Sequence, residues 1–429
     1  MSVAHHGTGP SGHEHGERLG FLGRATRRAV LRRLEGLDHG RLTLTDTCDV
    51  TAFGSGDEPA AHVEVHDPDF YRAVAMGGHI GAAESYATGG WSTPDLTALV
   101  RLFVRNRDIL DGLEGGMARF VQPVRAVVHA WNRNSVSGSR RNIQAHYDLG
   151  NDFFRHFLDE TMTYSAGIFR KPGGSLRDAS IAKYDRLCQK LELGADDHVV
   201  EIGTGWGGFA LHAASTYGCR ITTTTISKEQ HALATERVRA AGLSGRVEVL
   251  LQDYRRLEGQ FDKLVSIEMI EAVGHQYFDT FFNRCAGLLR ADGLAAIQAI
   301  TIQDSLYESA RKEVDFIKRY IFPGSCIPSV SVMSGAAAAT DMRLVHLEDL
   351  TPHYAETLRR WRRRFLANWP AISELGFDET FKRLWEFYFC YCEGGFAERV
   401  LGSVQLTFAK PQAAAPTIVE LPRLDHAVA

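Results

Sequence analysis

From residue 178 onward the chain alternates short apolar strands with amphipathic helices, a pattern that few folds can accommodate. SIAKYDRLCQKLEL reads as a helix, DHVVEIG as a short buried strand and WGGFALHAASTYG as a helix closed by Gly218. RITTTTIS reads as a strand and KEQHALATERVRAAG as a helix. RVEVLLQD and FDKLVSIEM add two strands, YFDTFFNRCAGLLRADG a helix and LAAIQAITI a strand. Strands separated by helices pair in parallel through crossovers, so the expectation is a doubly wound, mostly parallel, Rossmann-like α/β sheet.

In such a sheet the ligand lies beyond the carboxyl ends of the strands. The first strand there runs into a glycine-dense turn, VVEIGTGWGGF. Gly203, Gly205 and Gly208 fit the spacing of a dinucleotide site, whereas Gly203, Gly205 and Gly207 fit the G-x-G-x-G loop of a methyltransferase. The turn alone does not decide; the other strand ends do. A dinucleotide site needs an acid at the end of the second strand to hold the ribose. CRITTTTISKEQ has no acid before Glu229; Thr225 and Ser227 stand in its place. Trp206, in the opening turn of the next helix, does not suit a pyrophosphate resting on a helix N-terminus. The third strand ends in Asp253-Tyr254, placed to meet an adenine by hydrogen bond and stacking. These features point to S-adenosylmethionine rather than a nicotinamide or flavin.

At 429 residues the chain is long enough for two domains. A net charge of −4 gives no basic field for nucleic acid. No apolar run reaches the roughly 18 residues of a spanning helix, and the N-terminus lacks the apolar core of a signal peptide. The seven cysteines form no C-x-x-C pair, which fits reduced thiols in a cytoplasmic setting and argues against a metal site. Residues 1–17, with His5, His6, His13 and His15, read as a disordered tail. Residues 18–128 read as a small α+β domain, 129–148 as a linker, 149–415 as the catalytic domain and 416–429 as a C-terminal tail. Residues 18–37 form a basic amphipathic helix, with Leu19, Leu22, Val30, Leu34 and Leu37 near one side. That helix suits either an anionic membrane surface or its own domain.

Taken together, HYDLGNDFFRHFLDETMTYS, VVEIGTGWGG, TTISKEQ, LLQDYR, VSIEMIEAVG, KRYIFPGSCIPS and HYAETLRRWRRRFLANWP resemble the cyclopropane fatty acid synthase family, which includes the mycolic acid cyclopropane synthases. The resemblance implies transfer of the methyl of S-adenosylmethionine to the cis double bond of a phospholipid acyl chain. It places Tyr164, Ser165, Glu201, Gly203, Thr204, Gly205, Gly207, Thr225, Ser227, Gln230, Asp253 and Tyr254 at the cofactor. It assigns proton removal to a bound bicarbonate ion, cradled by Glu271, Gln298, Tyr354 and backbone near Ala166 and Ile300. It further implies a homodimer working at the inner face of the membrane.

Two positions depart from the family. A cysteine is usual after Tyr-Ser, where this chain has Ala166, and a histidine is usual where it has Gln298. The Gln298 amide can still donate to an anion, and Ala166 can offer its backbone, so the expectation is that the bicarbonate site survives. Methyl addition to an alkene leaves a carbocation, which aromatic faces stabilise by about 0.5–2 kcal/mol each. Tyr307, Phe316, Tyr320, Phe387, Tyr388, Phe389 and Tyr391 are candidates, and so is a core role for most of them. Burial is worth about 0.8 kcal/mol per methylene, so an acyl chain leaving a bilayer needs an apolar tunnel, expected beside FFRHF, YIFP and FYFCYC. Arg359, Arg360, Arg362, Arg363 and Arg364 suit lipid phosphates or a solvated helix face. Proton loss from the new methyl gives a cyclopropane, the leading expectation. A prior hydride shift gives a methylene branch. A methyltransferase for a soluble molecule and a silent binding protein remain as alternatives.

Overall fold

A computed structural model describes residues 21–107 and 149–414. The tails, the linker and residues 108–128 of the first domain lie outside that description.

Among the described residues, the N-terminal part is a four-stranded sheet with three helices. Helix α1 (Phe21–Leu34) precedes strands β1 (Arg41–Thr45), β2 (Val50–Phe53) and β3 (Ala60–Val65). Helix α2 (Asp69–Ala87), strand β4 (Trp91–Ser92) and helix α3 (Leu96–Arg105) complete it. The sheet order is β2-β1-β3-β4, with β1 and β3 parallel. Val30, Leu34 and Leu37 are buried as the helical period requires, but Leu22 is exposed. Arg27 of α1 turns inward to Asp46 at 2.7 Å and Asp49 at 3.2 Å, which fixes α1 to its own domain.

The second part follows the expected alternation. After α4 (Gly150–Arg155) and α5 (Leu176–Lys190) come β5 (His198–Ile202), α6 (Gly208–Thr216), β6 (Arg220–Thr225), α7 (Lys228–Ala240), β7 (Val247–Leu251) and β8 (Phe261–Ile267). Then follow α8 (Phe278–Leu288), β9 (Leu289–Ile302), α9 (Asp304–Ala310), α10 (Val330–Ala338) and β10 (Arg343–Asp349). The final elements are α11 (Thr351–Ala367), α12 (Trp369–Ser373), α13 (Glu379–Ala397) and β11 (Leu401–Ala409). The sheet order is β10-β11-β9-β8-β5-β6-β7. Strands β5 to β9 are parallel, and β11 inserts antiparallel between β9 and β10. One expectation shifts: LRADG, read as the end of a helix, forms the start of β9, where Leu289 pairs with Phe261.

Strand β6 shows how polar residues serve a buried strand. Thr222 to Thr225 are all buried, and each hydroxyl has a partner: His198, Glu201, the Gln252 carbonyl and Gln230 in turn. A buried hydroxyl without a partner costs about 1–3 kcal/mol, so this arrangement holds the strand ends in place.

The two parts meet along α13. Asp378 caps it by accepting from the Phe381 N–H at 2.8 Å. Arg101 and Arg105 of α3 both reach Glu398 at 2.7 Å, just past the end of α13. Thr97 of α3 bonds Glu393 at 3.2 Å, and Tyr86 of α2 bonds Glu386 at 3.1 Å. The helices approach closely at Gly394, where an added Cβ would lie 2.5 Å from a Val100 methyl. Beneath, Phe153, Phe154 and Phe157 pack on Phe365, Trp385 and Phe389 in one aromatic core. The FFRHF segment is therefore core rather than tunnel wall. Gly394→Val should overpack the α3–α13 contact and lower stability by about 1–3 kcal/mol. Chemical denaturation measures this, and a change within about 0.5 kcal/mol would show that the helices do not need this approach.

Candidate active site

A cavity of about 750 Å³ opens at the carboxyl ends of the parallel strands and runs under the N-terminal helices, where His79 and Val104 reach its wall. One end is built by the glycine turn. Gly203, Gly205 and Gly207 all have left-handed φ values, of 104°, 50° and 85°. The Gly203 and Thr204 N–H groups bond the Thr224 carbonyl at 3.1 and 3.0 Å, which curls the turn over β6. At Gly205 a Cβ would meet nothing within 4 Å, so the backbone there borders open space. Glu201, the last residue but one of β5, has its carboxyl held by the Thr223 hydroxyl at 2.5 Å. Asp253 accepts both guanidinium and backbone bonds from Arg255. The Tyr254 hydroxyl is buried in this wall with no hydrogen-bond partner among the described residues. An open glycine turn, an acid on β5 and an unsatisfied hydroxyl fit an adenosine-bearing ligand.

The other end is a polar cluster between β8, β9 and α11. Glu268, the first residue after β8, stands in left-handed backbone at φ 48°. It is half-buried and lines the cavity. Its Oε1 accepts from the Ala166 N–H at 2.9 Å and the Gln298 amide at 2.8 Å, and its Oε2 accepts from the Tyr354 hydroxyl at 2.7 Å. Gln298 has no choice of orientation. Lys190 donates to Gln405 Oε1 at 2.7 Å, Gln405 donates to Gln298 Oε1 at 3.0 Å, and the Gln298 NH₂ is left facing Glu268. Glu271 accepts from the Ile300 N–H at 2.5 Å through one oxygen, while its other oxygen is buried without a hydrogen-bond partner among the described residues.

Of the residues expected at the cofactor, Tyr164, Ser165, Glu201, Gly203, Thr204, Gly205, Thr225, Gln230, Asp253 and Tyr254 line the cavity. Gly207 and Ser227 instead begin α6 and α7: Gly207 stands at the N-cap, and Ser227 accepts from the Gln230 N–H at 3.2 Å. Glu271, Tyr354 and Ile300 line the cavity, while Ala166 and Gln298 lie behind Glu268. The expected bicarbonate cradle therefore does not fit the ion. Ala166, Gln298 and Tyr354 are spent on Glu268, and the Ile300 N–H is spent on Glu271. Sequence reasoning missed Glu268, although it lies in the quoted VSIEMIEAVG, and it missed Lys183 on α5. The fully buried Lys183 ammonium donates to Ser165 at 2.6 Å.

Of the candidate aromatics, Tyr388 and Tyr391 line the cavity, joined by Tyr164, Phe322, Tyr354 and Phe396. Phe316 and Phe389 are core. Most of the basic run is committed to the protein itself. Arg359 and Arg362 pair with Glu393 and Arg360 with Glu356, while Arg363 is exposed. No described helix is long and apolar enough to cross a membrane, and no metal-binding cluster occurs among the described residues.

Comparison with known proteins agrees with this geometry. Residues 134–406 match the sequence profile of the family described as Mycolic acid cyclopropane synthetase. A tuberculostearic acid methyltransferase from Mycobacterium tuberculosis is 40% identical over 84% of this chain and 86% of its own length. A cyclopropane-fatty-acyl-phospholipid synthase from Escherichia coli is 35% identical over 83% of this chain and 89% of its own. A solved mycolic acid cyclopropane synthase, complexed with S-adenosylhomocysteine and CTAB, superposes with a TM-score of 0.60 at 32% identity, covering 63% of this chain and 98% of that one.

Burial sets the acid–base character of the cavity. It pushes Glu201 up to about 8, against the pull of Thr223 and Lys183. It pushes Glu271 up to about 8 as well, helped by the neighbouring Glu268 charge. Burial pushes Lys183 down to about 8, opposed by Glu268, Asp159 and Glu201. Burial would raise Asp253 too, but Arg255 prevails and holds it below the usual carboxylate range. A carboxyl near 8 when folded and near 4.5 when unfolded binds its proton more tightly in the native state. Its contribution to stability is complete below about 4.5 and is lost as pH rises toward 8. Glu271→Gln keeps an acceptor for Ile300 and removes the titration. Its Tm should fall less than wild type's between pH 5 and pH 8 in calorimetry, and parallel declines would contradict this assignment.

Proposed function

The chain belongs to the mycolic acid cyclopropane synthetase family and is an S-adenosylmethionine-dependent methyltransferase, and on that premise we propose that it methylates the cis double bond of a phospholipid acyl chain. The observation that carries this reading is that one continuous cavity joins the glycine turn to the Glu268 cluster between aromatic walls. Bound at the turn, S-adenosylmethionine supplies an electrophilic methyl. The residues of the chain do the rest. Glu201, the glycine turn and Tyr254 hold the adenosine end. Tyr164, Phe322, Tyr388 and Tyr391 present faces to an alkene and to the cation that methyl addition leaves on it, and their bulk excludes water that would trap that cation. Tyr164 and Tyr388 steady each other through their hydroxyls at 3.0 Å.

The cation has two exits. A hydride shift followed by proton loss from the new methyl gives a methylene branch; proton loss without the shift closes a cyclopropane. The branched outcome is the preferred reading. It is supported by the 40% identity to a protein named for tuberculostearic acid, a methyl-branched acid, and by Gln298 and Ala166 standing at the base site in place of the family's usual residues. Saturating the branch needs a reductant, so the product of this chain keeps its double bond. The cyclopropane is the second reading, supported by the 35% identity to the Escherichia coli synthase. Purified protein, labelled S-adenosylmethionine and vesicles of cis-monounsaturated phospholipid test both. Gas chromatography with mass spectrometry should show a methyl ester one CH₂ heavier that still takes up hydrogen at its double bond. A ring ester that resists mild hydrogenation would establish the cyclopropane reading, and unlabelled lipid would overturn both.

A further inference from the structure

The anion cradle of this cavity is complete without an anion from solution. Three donors converge where a small carboxylate-like ion would sit, and the carboxylate they hold is Glu268. We propose that Glu268 is the resident base of this enzyme, taking the proton that a bound bicarbonate would otherwise remove. The proposal rests on the acyl-methylation reading above.

Four observations support it. First, the donors are of different kinds and come from distant parts of the chain: a backbone N–H, an amide and a phenol. Second, the amide is aimed. The Lys190–Gln405–Gln298 relay leaves its NH₂ facing Glu268, and the Glu268 N–H itself bonds the Gln298 carbonyl at 2.8 Å. One residue thus clamps both the backbone and the side chain of Glu268. Third, the backbone at Glu268 is in the left-handed region that glycine adopts freely and that other residues occupy at a cost of about 1–3 kcal/mol. A strained position filled by a half-buried acid that lines the cavity is accounted for by what the acid does. Fourth, the carboxylate has about four acceptor sites, and the three donors leave one open on Oε2, on a side chain that lines the cavity.

Burial raises the Glu268 pKa, and Lys183, Gln298, Tyr354 and the Ala166 N–H restrain the rise. A carboxylate whose pKa burial raises accepts a proton more readily than an exposed glutamate. The donor's C–S bond breaks as a C–C bond forms to the alkene, leaving a cation on the acyl chain. A C–H bond of the new methyl then breaks, its electron pair neutralises the cation, and the proton goes to Glu268 Oε2. The carboxylic acid returns that proton to solvent before the next turnover. Tyr354 and Gln298 are positioning residues that act through Glu268.

The test uses the full-length protein, Glu268→Gly and Glu268→Gln. Binding of S-adenosylhomocysteine by each confirms that the fold survives. Glycine relieves the backbone strain and opens the cradle, whereas glutamine keeps the cradle filled with a group that takes no proton. Labelled bicarbonate is then titrated and followed by 13C NMR, and methyl transfer to vesicles is measured in carbonate-free buffer with and without millimolar bicarbonate. The expected result is that wild type binds no bicarbonate and turns over equally well with or without it. Glu268→Gly loses about 100-fold or more in turnover, binds the ion and recovers with it; Glu268→Gln loses as much and does not recover. A wild type that binds bicarbonate or needs it, or a Glu268→Gly variant active without it, would overturn the proposal. Binding decides the occupancy of the cradle even if vesicles take up no label. That outcome would overturn the acyl-chain reading and, with it, the catalytic half of the inference.

Discussion

The buried hydrogen-bond relay from Lys190 to Glu268 is the constraint on which the active site depends. It crosses the sheet through α5, β11, β9 and the end of β8, and each link fixes the next. Lys190 can only donate, so Gln405 must present its oxygen to it, Gln405 must donate onward, and Gln298 must turn its NH₂ to Glu268. Lys190 is in turn held by Glu348 of β10 at 2.6 Å. The antiparallel insertion of β11 therefore does more than complete the sheet: it puts Gln405 opposite Gln298 in register. Breaking one link leaves a buried donor or acceptor unsatisfied, at a cost of about 1–3 kcal/mol. Such a network specifies one arrangement of the base rather than several.

From that fixed point the two ends of the cavity acquire different jobs. The glycine turn and the threonine-lined β6 present backbone and hydroxyl groups to a polar ligand. The Glu268 end presents one held carboxylate among aromatic rings. Lys183 lies between them, bonded to Ser165 and coupled by charge to both Glu201 and Glu268. The three donors restrain the rise that burial gives the Glu268 pKa, so the base is weaker than burial alone would make it, which gives a cation time for a hydride shift before the proton leaves. The branched product and the resident base are thus mutually consistent. The N-terminal domain belongs to the same design, because α13 carries Tyr388 and Tyr391 into the cavity while its other contacts grip α2 and α3.

The sheet was legible because its strands and helices are short, regular and separated by turn residues. The glycine turn and the strand ends of β6 and β7 announced the cofactor class for the same reason: their chemistry is local in sequence. The base site was not local. Glu268 meets Gln298, Tyr354 and Ala166 across 30, 86 and 102 residues, and only the β8–β9 register and the seat of α11 bring them together. Two glutamates three apart at a strand end were the available signal, and only Glu271 drew attention. Lys183 reads as an ordinary helix lysine, yet it shares the buried face of α5 with Ala179 and Leu187. Leu289 begins β9 because its pairing with Phe261 overrides local helical propensity. The basic run of α11 suits lipid phosphates or a solvated face in sequence, because its acidic partners, Glu356 and Glu393, lie a turn away and on another helix.

The central claim is that a carboxylate held by Tyr354 receives the proton, and a pH profile of single-turnover methyl transfer tests it most directly. The acid limb should report the ionisation of Glu268. Tyr354 stabilises the charged form by donating to it, so Tyr354→Phe should move that limb to higher pH while leaving the alkaline side in place. An acid limb that stays where it is in the variant would mean that the titrating base is some other group, and that the Glu268 cluster is structural.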